Sequence, residues 1–214
     1  MPPVAPRSDY IRDPAEIYAG SFATVSREAA LGDLSPSMAK VATRLIHACG
    51  MVDLMDDLAF SEGAAEMGCS ALASGARVFC DVEMVRAGII ARLLPRQNDV
   101  ICTLNDTRVP ALAETMANTR SAAAVELWRG RMEGVVVAIG NAPTALFHLL
   151  DIVAATGEKP TLVIGIPVGF VGAVESKAAL AANELGLNYI TVHGRRGGSA
   201  MASAVVNALA GGLS

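Results

Sequence analysis

The sequence predicts a three-layer α/β fold: a parallel five-stranded sheet between helices, with additional helices at the N-terminus. Three observations carry that expectation. Short β-type runs recur after Gly75, namely ARVFCD, DVICTL, GVVVAIG, TLVIGI and NYITVHG. Helix-type stretches separate them, and strand-then-helix order implies right-handed crossovers and parallel pairing. The runs are nearly continuous apolar rather than alternating, as in strands covered on both faces.

Taken in order, the first third is helical. Asp13-Pro14 is a cap followed by proline at the first helical position, and AEIYAGSFATVSREAA continues it. Ser35-Pro36 repeats the signal for SMAKVATRLIHAC, and Gly50 suits the stop. Ser61, with Ala64 and Glu66 nearby, opens a third helix that ends by Gly75. The later helical stretches are PALAETMANTRSAAAVELWRGRM, APTALFHLLDIVAATG, AVESKAALAANELG and SAMASAVVNALAG. No linker or internal repeat interrupts them, so residues 1–214 are expected to form a single domain. A flavodoxin-like sheet is the specific form expected.

Composition narrows the function. Apolar residues make up 52% and charged residues 18%, enough for a large core. The net charge of −4 supplies no basic field of the kind nucleic-acid binding needs. The apolar runs are interrupted or too short to span a bilayer, and MPPVAPRSDYIRDP has no signal-peptide core, so a cytoplasmic protein is expected. The four cysteines show no C-x-x-C spacing and read as reduced, small apolar residues.

Ligands of such sheets bind beyond the carboxyl ends of the strands. GRRGGSAMA there offers backbone N–H groups and two arginines, either an anion site or a tight turn with Ser199 as a cap. GNAPTALF starts a helix that Asn141 can cap. NTRSAAAVELW puts Arg120 and Ser121 near a helical start, where the arginine is either solvated or grips a carboxylate. The G-x-x-G of PVGFVGAVESK is explained equally well by close packing. His148, among apolar residues, reads as a hydrogen-bonded structural histidine, while His193 is ligand-facing or incidental.

His47 can be placed more sharply. At 100° per residue, Met38, Val41, Ala42, Leu45, Cys49 and Val52 form one apolar stripe. His47 falls opposite, with Lys40, Thr43 and Arg44, so it lies outside the core its own helix builds. The carbonyl end of a helix favours positive charge, which suits a proton donor. Surface and site both remain open.

IYAGSFATV, HACG, CDVEMV, NTRSAAA, IGNAPTALF, PVGFVGAVESK and GRRGGSAM together resemble the precorrin-8X methylmutase family, in matching order from Tyr10 to the last helix. The resemblance implies an isomerase of cobalamin biosynthesis that moves a methyl group between adjacent ring-C carbons of precorrin-8X, a 1,5-sigmatropic shift giving hydrogenobyrinate. It implies no cofactor and no metal, because the methyl is already on the substrate. It implies a homodimer with its sites at the subunit interface, and a transient contact with the next pathway enzyme is a further expectation. The histidine of HACG, here His47, is then the proton donor and acceptor, and Ser21 contacts substrate. Arg120, Ser121, Asn141, Arg195 and Ser199 suit the carboxylate fringe of a tetrapyrrole. The chain departs from the pattern at Ser26-Arg27 and Ile89-Ile90. The alternatives are a cobalt-precorrin-8 methylmutase of the anaerobic route, a non-catalytic tetrapyrrole carrier, and a nucleotide- or flavin-binding protein.

Overall fold

The computed structural model describes residues 8–211. Two helices come first, α1 (Pro14–Glu28) and α2 (Pro36–Cys49). The expected caps are in place: Asp13 accepts from the Glu16 N–H at 2.9 Å and Ser35 from the Met38 N–H at 3.3 Å. Gly50 ends α2 in the left-handed region at φ 71°, where a side chain would be strained. A 3₁₀ helix (Val52–Asp57) leads into β1 (Leu58–Phe60), and α3 (Ala64–Ala73) follows. Ser61 does not cap α3 with its side chain. Gly63 takes the cap position, and the Ser61 hydroxyl accepts from the Tyr189 N–H instead.

The alternating part runs β2 (Val78–Cys80), α4 (Glu83–Gly88), β3 (Val100–Cys102), α5 (Val109–Thr115), α6 (Arg120–Glu126), β4 (Val136–Ile139) and α7 (Pro143–Thr156). It ends with β5 (Leu162–Gly165), α8 (Ala173–Ala181), β6 (Tyr189–Val192) and α9 (Ser199–Leu209). The helix expected across PALAETMANTRSAAAVELWRGRM is two. The chain breaks at Ala117, which has φ 47°, and Thr119 caps α6 through the Ala122 N–H.

Among the described residues the sheet has six strands, in the order β1-β6-β5-β4-β2-β3. Five are parallel, and β1 adds an antiparallel strand on the β6 edge. The extra strand escapes a sequence reading because three residues carry no periodicity. It covers an edge that would otherwise be open. The parallel strands follow the doubly wound order, with the reversal between β2 and β4.

One sheet face, with Val78, Cys80, Val136, Ala138 and Ile164, packs under α2, α3, α4 and α9. The other, with Phe79, Val137, Ile139 and Val163, packs under α7, α8 and Trp128. α9 is buried along its length apart from Ala200, because alanine and serine let α2 and α4 lie close against it. Cys80 and Cys102 are register partners on β2 and β3. Burial pushes the Cys102 thiol up to about 11, which keeps it unreactive. No helix among the described residues is long and apolar enough to cross a membrane.

Candidate active site

α2 buries Met38, Val41, Ala42 and Leu45, as its stripe predicts, but also Ile46 and Thr43. Thr43, expected on the exposed side, turns its hydroxyl back to the Ala39 carbonyl at 2.8 Å and so tolerates burial. His47 remains exposed. α1 lies alongside it and supplies three side chains to the ring. The Ser21 hydroxyl is hydrogen-bonded to Nδ1 at 2.8 Å, Tyr18 stacks with centroids 5.7 Å apart, and Phe22 tilts against it at 5.3 Å. One turn of α1 produces this, since residues three and four apart share a helix face.

The ring divides two open hollows. One, of about 370 Å³, runs along α9 and is lined by Arg44, His47, Met84 and Gly88, with Ala200, Ser203 and Asn207 of α9. Gly88 is required there: a Cβ would stand 2.4 Å from the Ser203 hydroxyl oxygen. Asn207 fixes the rim, accepting from the Ile90 N–H at 2.8 Å and donating to the Gly88 carbonyl at 3.0 Å. The other hollow, of about 350 Å³, lies between α1 and α2 and includes Ser21, Thr24, Val25 and Gly50.

The remaining candidates line neither hollow. They occupy the rim formed by the carboxyl ends of the strands. Arg120 donates to the Leu104 carbonyl at 3.2 Å, and a 2.8 Å bond between Thr119 and Thr144 ties the starts of α6 and α7. Arg120, Ser121 and Asn141 therefore share this rim. Asn141 does not cap α7; Ala142 holds that position, and the Asn141 backbone N–H is bound to Asp81. Ser199 is not a cap either. It is the first residue of α9 after Gly198 and is buried. Ala200, its neighbour, lines the His47 hollow, so α9 connects rim and ring. Arg195 is exposed, with its guanidinium 5.5 Å from the Phe170 ring centroid. Arg196 is committed to Asp53 and Asp57 at 2.8 and 2.5 Å.

Asp81, at the reversal of strand order, was not singled out from sequence. It is 1% exposed and accepts the N–H groups of Gly140, Asn141 and Ala142 at 3.0, 2.9 and 2.9 Å. Burial pushes its carboxyl up, and the three bonds pull against that. Gly140 is pressed so closely that a Cβ would sit 2.8 Å from Ser199 Cα. The backbone N–H groups at the switch point, where doubly wound sheets bind nucleotides, are thus taken by the Asp81 carboxylate, which argues against that alternative. His148 is bound to Glu126 at 2.7 Å, the structural role its apolar setting suggested. Among the described residues no group of three or more His, Cys, Asp or Glu side chains is arranged to hold a metal ion.

Residues missed from sequence were legible in one respect. Tyr18 and Phe22 flank Ser21 at helical spacing within IYAGSFATV, so all three share a face of α1.

Comparison with known proteins points one way. The family model for precorrin-8X methylmutase matches residues 16–211. The chain is 58% identical over 202 residues to the precorrin-8X methylmutase of Pseudomonas aeruginosa, covering 94% of this chain and 97% of that one. It is 51% identical to that of a Sinorhizobium species, covering 96% and 98%. The cobalt-precorrin-8 methylmutase of Salmonella typhimurium is 39% identical, covering 94% and 96%. A solved precorrin-8X methylmutase from Thermus thermophilus superposes with a TM-score of 0.82 at 36% identity, covering 92% and 94%.

Proposed function

The chain belongs to the precorrin-8X methylmutase family, and from that premise we propose that His47 is the proton donor and acceptor of methyl migration in precorrin-8X. The enzyme is a methylmutase, an isomerase of cobalamin biosynthesis. The two relatives of highest identity reported above act, by name, on precorrin-8X, and the cobalt-precorrin-8 enzyme is more distant; this supports the metal-free substrate and hydrogenobyrinate as product.

The observation that carries the role of His47 is its bond to Ser21. A 1,5-shift leaves the atom count unchanged, so the protein needs only to lend a proton, or a hydrogen bond, while the π-electrons of the ring system reorganise. A serine hydroxyl both donates and accepts. When both ring nitrogens carry protons, Nδ1–H donates to the hydroxyl and Nε2–H is the proton lent, which leaves the neutral Nδ1–H ring in the same bond; a neutral ring protonated on Nε2 instead accepts from the hydroxyl at Nδ1. A backbone carbonyl would hold only the states with Nδ1–H. Arg120, Ser121, Asn141, Arg195 and Ser199 bind the carboxylate fringe in this reading, with Arg44 beside the ring.

We read the enzyme as one flavodoxin-like domain, cytoplasmic, and closed by a second copy into a homodimer. Tyr18, 49% exposed and stacked on His47, and Ile17, its neighbour in α1 and 47% exposed, support that closure. The test is incubation of the purified protein with precorrin-8X, followed by absorption spectroscopy. Hydrogenobyrinate should form, and cobalt-precorrin-8 should react more slowly. An unchanged spectrum removes the function. In the same assay Ser21→Ala should lower kcat by about tenfold to a hundredfold, as expected for a bond to a group that becomes charged. KM should hold; a raised KM at unchanged kcat would assign Ser21 to substrate binding instead.

A further inference from the structure

Lys177, in α8, has no solvent exposure. Its Nζ donates to the carbonyl of Arg196 at 2.6 Å. Burial pushes the ammonium down to about 8, and the Asp57 carboxylate acts in the opposite direction. A buried amine is costly where a methionine would fill the same space. What it holds therefore explains its presence.

It holds one residue of a loop that is pinned on every side. The Arg196 side chain is bound to Asp53 and Asp57 of the 3₁₀ helix while its carbonyl is held by Lys177. Gly197 follows, so close to the chain leaving β5 that a Cβ would lie 2.5 Å from the Ile166 carbonyl oxygen. The Gly198 N–H donates to that same carbonyl at 2.9 Å. Arg195, one residue before the anchor, projects to solvent over Phe170. Its direction is set by the fixed backbone behind it.

We propose that Lys177 is a positioning residue for substrate binding: by holding the Arg196 carbonyl it fixes the 194–198 loop and aims Arg195 at a carboxylate of the substrate. This rests on the tetrapyrrole reading above. A guanidinium grips a carboxylate through two parallel bonds, so a small rotation of the loop costs most of the interaction.

The experiment is a double-mutant cycle of Lys177→Met and Arg195→Ala, with kcat and KM for precorrin-8X measured for each protein. Lys177→Met should raise KM about tenfold and leave kcat within about twofold, the pattern of lost binding rather than lost chemistry. In the Arg195→Ala background the same change should alter KM by less than about twofold. An unchanged KM with a lowered melting temperature would make Lys177 merely structural. A full KM effect without Arg195 would mean that it acts elsewhere; either result overturns the proposal. Should Lys177→Met fail to fold, Lys177→Gln, one atom shorter and polar, carries the same cycle with the same expected KM pattern. Wild-type conversion separates the two readings: without it the function fails and this proposal with it, and with it only the role of Lys177 is at stake.

Discussion

Replacing His47 with alanine is expected to lower kcat for methyl migration by about 10²–10⁴, the usual contribution of a positioned acid–base group, while the melting temperature stays within about a degree or two of wild type. The side chain is exposed and outside the buried arc of α2, so no core contact is lost. Ser21 keeps access to water once its partner is gone. Product should still bind tightly, because the arginines and helix starts of the carboxyl-end rim are untouched. His47→Gln sharpens the test, since its amide can still bond to Ser21 but cannot shuttle a proton at neutral pH. Both variants should convert precorrin-8X at least about a hundredfold more slowly than wild type in single-turnover mixing. Full activity in either would remove His47 from the mechanism.

The outward direction of His47 was legible in the sequence because period and burial on α2 are local properties. So were the caps at Asp13 and Ser35, the stop at Gly50, and the parallel strands, each a continuous apolar run. What stayed hidden depends on residues far apart in the chain. β1 exists only because β6 offers it an edge. Thr43 is buried because the helices packed around α2 cover more of its surface than the stripe predicts. The partners of Tyr18, Ser21 and Phe22 become visible only once α1 lies along α2. Asp81 and Lys177 are the sharpest cases. A lone carboxylate after a strand and a lone lysine in a helix read as surface residues, and only the fold shows that backbone groups await them inside.

Asp81→Asn should therefore be the most destabilising of the changes considered, by roughly 3 kcal/mol or more, since bonds to a buried charged group are worth about 1.5–3 kcal/mol each. The ionised carboxylate is acceptor-only and meets three backbone donors. An amide of the same shape turns two hydrogens toward them, so at least one N–H loses its partner and faces another donor. For a chain of this size the melting temperature should fall by about 6–12 °C in a thermal scan. An unchanged melting temperature would show that the three bonds contribute little and that the loop is held by packing alone. Asp106→Asn is the control: that carboxylate is paired with Arg108 in an exposed bridge, and its loss should scarcely register. The loss at Asp81 should also reach the site. Gly140, held by Asp81, is the residue against which Ser199 packs, and Ser199 begins the helix that lines the His47 hollow. Folded Asp81→Asn protein, assayed below its melting point, should show a raised KM for precorrin-8X with kcat less affected if the rim binds carboxylates as proposed, because the change disturbs that rim and not the Ser21–His47 pair.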